Sequence, residues 1–255
     1  DGSLSDAVWQ KIQGINLAYG DTLIRAAYTG VGPYQSGQYQ PELNGNPRPP
    51  VLDPSLGNFK MFFKGKYLYL GADIMDQVVQ GTEIYDKIDG LSIILGHRQL
   101  VNVENVTEFK VLRANYNFSG VAQAYDYLPS LVDSGKAEFA FRLKGNTTIN
   151  NNTDVDSGYT VEMKIDLTGL GYPENLGDKL LFAGLMLADG DSFDDTLSNY
   201  GTRVWWYREH SGGPAVAWMV IDPQALVNVE DSKEEVFVPS GIEILGNYPN
   251  PFNPE

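Results

Sequence analysis

The stretch YTVEMKID, residues 159–166, alternates apolar and polar side chains, and the same alternation recurs along most of the chain. A helix would need apolar residues every three or four positions. A period of two instead sends one face of an extended strand into a core and the other outward. FKMFFK (59–64), YLYLGADI (67–74), EFKVLRANY (108–116) and AEFAFRL (137–143) read the same way. LSIILGH (91–97) and LLFAGLMLAD (180–189) are apolar runs of strand length, and TLIRAAYT (22–29), RVWWYR (203–208) and VAWMVI (216–221) extend the set. Turn-forming clusters separate them: NGNPRPP (44–50), KGK (64–66), KGNTTINNNTDVDSG (144–158) and HSGG (210–213). Strands joined by polar turns predict an all-β fold: an antiparallel β-sandwich with jelly-roll or immunoglobulin-like layers and long loops. Helix is expected only as short turns, at SDAVWQKI (5–12) with Ser5 or Asp6 as N-cap, and at LTGLG (167–171). Residues 146–156 read as a mobile tip, and 28–58 as a functional loop or an insertion packed on the sandwich.

A chain of 255 residues suffices for one large β domain. The sandwich is expected over 1–229, with a linker over 230–255. The net charge of −15 argues against nucleic acid, whose phosphates need Lys and Arg, and against anionic membrane surfaces. The absence of cysteine removes disulfides, thiolate metal sites and thiol catalysis. No apolar run approaches the roughly 20 residues of a membrane-spanning helix. Carboxylates are many, but none stands in a diagnostic catalytic pair, and GxSxG, Walker and dinucleotide motifs are missing. The reading is therefore not an enzyme.

Some residues stand out chemically. Trp205 and Trp206 are adjacent, so on a strand one faces the core and the other faces out. An exposed indole offers a flat face for the C–H side of a pyranose; the alternative is that both pack the sandwich. Arg98, after the LSIILG strand, could reach sugar hydroxyls through its planar fork, or be a solvated rim residue. Asp189, Asp191, Asp194 and Asp195 crowd into ADGDSFDD (188–195), offering the hard oxygen ligands Ca²⁺ prefers, or simply a solvated acidic turn. Asp73, Asp76, Asp86 and Asp89 form a second, weaker acidic set.

Three segments in order carry a family resemblance: DGSLSDAVW (1–9), FKMFFKGKYLYLGADIMD (59–76) and GYTVEMKIDLTGLG (158–171), followed by FAGLMLADGDSFDD (182–195) and RVWWY (203–207). Together, over about residues 1–228, they resemble the family-9 carbohydrate-binding modules and the wider DOMON-like sandwich group. The resemblance implies a clamp of two aromatics around a sugar. Trp205 or Trp206 lies where the second is expected, and Tyr85 is the aromatic nearest the first. It also implies a structural Ca²⁺. The tail, NYPNPFNP (247–254), resembles the opening of the C-terminal sorting domain of the type IX secretion class, which implies an export tag beyond Glu255 and an extracellular or cell-surface location.

The expected function is glycan or polysaccharide binding. A structural alternative is a fibre or surface-layer subunit that self-assembles through edge strands and the Tyr- and Gln-rich arm GPYQSGQYQPELNGNPRPP (32–50). A weaker alternative is a haem-binding DOMON-type domain, for which Met186 and His210 are the available ligands, although Met186 in FAGLMLAD reads as core.

Overall fold

The structure is a computed structural model that describes residues 1–18, 53–82, 88–96, 110–176 and 183–190 in full, together with the backbone of short strands elsewhere. In chain order the strands are β1 (Ile15–Ala18), β2 (Glu42–Leu43), β3 (Asn46–Pro47), β4 (Leu56–Lys64), β5 (Tyr67–Met75), β6 (Gly90–Gly96), β7 (Val101–Asn102), β8 (Asn105–Val106), β9 (Phe109–Tyr116), β10 (Ala122–Asp126), β11 (Ala137–Leu143), β12 (Tyr159–Asp166), β13 (Leu181–Asp189), β14 (Thr202–Trp205), β15 (Met219–Ile221), β16 (Leu226–Val229) and β17 (Val236–Pro239). The first sheet runs β11-β12-β5-β4-β17-β16, with β1 also paired to β4; the second runs β10-β9-β6-β13-β14, with β15 also paired to β13. Every pairing is antiparallel. The expected all-β sandwich is what forms.

Alternation explains the core. From the first sheet, Phe59, Met61, Leu68, Leu70, Tyr159, Val161 and Met163 point inward; from the second, Leu91, Ile93, Leu112, Ala114, Leu185 and Leu187 meet them in one buried cluster. Each such aliphatic residue contributes about 1.5–3 kcal/mol by leaving water, so the register is fixed by which face is apolar. Tyr116 of β9 stands edge-on to Phe141 and Tyr159 across the layers, with centroids 4.9 and 5.4 Å apart.

The N-terminal segment lies over the outward face of the first sheet. Helix α1 (Ala7–Lys11) follows Asp6 in the N-cap position, although the Asp6 side chain makes no capping bond. Its Trp9 is buried, edge-on to Phe62 at 4.9 Å, while Phe62 stacks on Tyr69. Gly71 permits this approach, since a Cβ there would come within 3.0 Å of the Trp9 ring and 2.8 Å of Leu4. Glu162, outward on β12, accepts from Trp9 Nε1 (2.9 Å), Gly2 N (2.9 Å) and the Asp1 amine (3.2 Å). Gly2 takes φ +79°, and a Cβ on it would lie 2.9 Å from the backbone of Phe141.

Three local features differ from the sequence reading. A helix, α2 (Leu128–Asp133), buries Leu128 and Leu131 where none was expected. Its six residues hold barely one helical repeat, too little for periodicity to register. The short strand β10 was also not anticipated. Residues 146–156 are not a free tip. Asp156 is buried and accepts from Val79 N and Thr148 N, both at 2.9 Å, and the Asn150 amide donates to Val79 O at 3.0 Å. Polar side chains there cap neighbouring backbone rather than solvate, which composition cannot distinguish. The 3₁₀ turn at Leu167–Leu170 forms as expected, with Asp166 accepting from Thr168 N. Strand β17 lies within the stretch 230–255 and pairs with β16 and β4. Among the described residues, no helix is long and apolar enough to cross a membrane.

Candidate functional site

One rim of the sandwich gathers carboxylates from three points of the chain. Asp76 follows β5, Asp89 precedes β6 and Asp189 ends β13; all three are buried, with ligand oxygens within 4.8 Å of one another. Backbone amides fix their orientation. Val78 N donates to Asp76 Oδ1 at 3.0 Å, Ser55 N to Asp189 Oδ2 at 2.9 Å, Gly190 N to Asp89 Oδ1 at 2.5 Å, and Gln80 N to Asp89 Oδ2. Asp76 Oδ2 is buried with no hydrogen-bond partner among the described residues. Burial first, and the Asp189 charge second, push the Asp76 carboxyl up to about 8. Burial, then the Asp76 and Asp189 charges, hold Asp89 well above the usual carboxylate range. Buried like charges this close are costly unless protonated or neutralised by a cation. A trio of hard oxygens with an orphaned lone pair fits Ca²⁺.

The second feature lies on the outward face of the second sheet. Cross-strand partners put Tyr125, Arg113, Ser92, Met186 and Trp205 in a single row across β10, β9, β6, β13 and β14. The neighbouring row holds Gln123, Asn115, Gly90, Ala188 and Arg203. Arg113 is clamped on three sides: Nε donates to Asp126 Oδ2 at 2.9 Å, Nη1 donates to Asn115 Oδ1 at 3.0 Å, and the guanidinium carbon lies 4.4 Å from the Tyr125 ring centroid. Asp126 adopts φ +58°, a conformation uncommon outside glycine. Ser92, Asn115 and Met186 are buried, and the Ser92 hydroxyl has no partner among the described residues. A planar donor fork held in one orientation beside an aromatic ring can pair with two acceptors at once.

The structure treats the sequence candidates unevenly. Trp205 ends β14 opposite Met186, in the row with Arg113, and only its backbone is described. Trp206, Tyr85, Arg98, Asp191, Asp194, Asp195 and His210 lie outside the described residues; of the arm 32–50, only the backbone of the paired strands β2 and β3 is described. Asp189 is brought to Asp76 and Asp89, which had stood in a separate acidic set. Asp73 of that set faces outward and pairs with Lys144 at 2.7 Å, and Asp86 is outside the described residues. Met186 packs on the outward side of β13, buried. Arg113, Asn115 and Tyr125 escaped sequence reasoning. Their signal was the polar phase of EFKVLRANY, in which Arg113 and Asn115 alternate with Leu112, Ala114 and Tyr116. The acidic trio also carried a signal, the Asp-Gly pairs at 89–90 and 189–190 beside strand ends.

The model of the carbohydrate family 9 binding domain-like family matches residues 50–209, well over half the chain. The chain belongs to that family. The matched range takes in all three rim carboxylates and the whole Tyr125–Trp205 row of this family-9-like domain. Two solved structures are similar to it, both of a family 9 carbohydrate-binding module from Caldicellulosiruptor kristjanssonii. The one in complex with cellotriose is 14% identical, with 81% of this chain and 78% of that chain covered and a TM-score of 0.45. The one in complex with glucose is 13% identical, with 84% of each chain covered and a TM-score of 0.46. A comparison with curated proteins finds no match.

Proposed function

We propose that this family-9-like domain is a non-catalytic module that binds carbohydrate through the outward face of its second sheet. The observation that carries the reading is the Arg113 guanidinium, locked between Asp126, Asn115 and Tyr125 in the same cross-strand row as Ser92 and Trp205. Its orientation is set before any ligand arrives, so little side-chain entropy is lost on binding. Sugar hydroxyls would accept from Arg113 where it meets the half-buried Tyr125, while an indole at Trp205 would cover a pyranose face.

Asp76, Asp89 and Asp189 would hold a structural Ca²⁺, tying the end of β5 to β6 and β13. The ion would neutralise the buried charge; it takes no part in ligand contact in this reading. An extracellular setting belongs to the same proposal and rests on NYPNPFNP, residues 247–254, read as the start of a sorting domain.

Titration calorimetry of the full chain in Ca²⁺ tests the sugar reading, with cellotriose and glucose as the first probes and a glycan array behind them. Saturable binding is expected, weakened about tenfold or more in Arg113→Ala and in Trp205→Ala. Absence of binding to every glycan on the array, or unchanged affinity in both variants, would refute it.

A further inference from the structure

The opposite side of the sandwich carries a cleft that the second-sheet reading does not use. It has a volume of about 530 Å³, within the range of ligand-sized pockets, and opens on the outward face of the first sheet. Its floor is a cross-strand row, Asn58–Asp73–Thr160–Arg142, spanning β4, β5, β12 and β11. Lys60 lies one row along, Lys144 stands at the end of β11, and Leu4 of the N-terminal segment forms an apolar wall.

The charges in this cleft do not cancel. Lys144 Nζ is spent on Asp73, at 2.7 Å. Lys60 Nζ donates to the Trp9 carbonyl at 2.8 Å, which satisfies one of its donors and leaves its charge intact. Arg142 is exposed, and among the described residues its guanidinium has no partner. Among the described residues, the cleft therefore holds two cations without a carboxylate partner, on a chain whose net charge is −15. Beside them sit an amide at Asn58, a hydroxyl at Thr160 and the amide of Gln10.

We infer that this cleft is a second, independent glycan site, and that it takes a sugar carboxylate: a uronate residue seated on Arg142. A carboxylate matches the guanidinium fork in two parallel hydrogen bonds. Lys60 adds charge from the next row, and Leu4 covers a pyranose face; the amide nitrogens of Asn58 and Gln10 donate to Asn16 Oδ1 (2.7 Å) and Leu4 O (2.8 Å), so their side-chain oxygens are the groups that would accept from ring hydroxyls. A neutral sugar would gain no charge pairing with Arg142, so a uronate should bind more tightly than its neutral counterpart.

The test is titration of the full chain with tri-galacturonate and, separately, cellotriose, in the wild type, Arg142→Gln and Arg113→Ala. Arg142 is exposed, so its replacement leaves the core intact. The expected result is tri-galacturonate binding that falls about tenfold or more in Arg142→Gln and is unchanged in Arg113→Ala. Cellotriose binding is expected to be unmoved by Arg142→Gln. If uronate binding depends on Arg142 while binding of no glycan on the array is weakened in Arg113→Ala or Trp205→Ala, this inference stands and the second-sheet reading falls. No uronate binding in the wild type, equal affinity in Arg142→Gln, loss in Arg113→Ala, or equal binding of dextran sulfate would each overturn it.

Discussion

On the first sheet, the outward position at Gly71 is filled by the protein's own Trp9, which is edge-on to Phe62 and anchored to Glu162. On the second sheet, the comparable middle of the outward face holds Ser92, with Arg113 beside it and a hydroxyl that no described group engages. Both faces come from the same strand alternation, yet the middle of one is closed by an internal aromatic plug and the middle of the other holds buried polar side chains. The same alternation thus leaves an outward face to be finished either by an apolar cover from elsewhere in the chain or by polar groups that hold one another in place.

The comparison breaks most directly at the plug. Trp9→Ala removes a buried indole and its bond to Glu162; a loss of about 3–5 kcal/mol is expected in denaturant unfolding, with cellotriose affinity per folded molecule unchanged. A matching fall in affinity would mean the faces are not independent. Next in size is the rim that joins the two sheets. Chelation of Ca²⁺ should lower stability by about 3–4 kcal/mol relative to Ca²⁺ at 100 to 1,000 times its dissociation constant. The pH dependence has a definite sign. The Asp76 carboxyl sits at about 8 in the folded chain against 3.8 as a free side chain, and Asp89 is raised too. Between these values the folded chain holds protons that the unfolded chain releases, so metal-free stability falls as pH rises from about 4 to about 8. Added Ca²⁺ must displace those protons, so its stabilising effect should be larger at pH 8 than at pH 5, read as a shift in melting temperature. A chelator without effect at pH 8 would remove the ion from the account.

Arg113→Lys sharpens the other face. It keeps the charge and loses the fork, and sugar affinity should fall about tenfold, with unfolding free energy changed far less than by the loss of Trp9. The smallest expected effect is at Glu162. Its carboxylate gathers the Trp9 indole, the Gly2 amide and the Asp1 amine, so Glu162→Gln should cost about 1–2 kcal/mol in unfolding and leave both sugar titrations as they were.

Much of the scaffold was legible because alternation is a local signal. FKMFFK, YLYLGADI and YTVEMKID appear as β4, β5 and β12 within a residue or a few of their read limits. Helix α2 and strand β10 were not legible, being too short for a period to repeat. The candidate sites were legible only in part. ADGDSFDD drew attention to Asp189 through local density, but its described partners, Asp76 and Asp89, lie about a hundred residues upstream. Arg142 looked like one more polar position on an alternating strand; its place in the cleft, with no guanidinium partner among the described residues, distinguishes it.

Two-residue periodicity, turn chemistry and the lack of cysteine were enough, unaided, to determine a layered antiparallel fold and to exclude thiol chemistry, while the acidic balance argues against nucleic acid. Those properties depend on neighbours along the chain. Which carboxylates share a rim, that Trp9 covers Gly71, and that Arg113 stands in line with Ser92 and position 205 were decided by strand register and sheet stacking. Register is a cooperative outcome of the whole core, in which a slip of one residue reverses every face, so residues that meet across strands cannot be paired from local spacing.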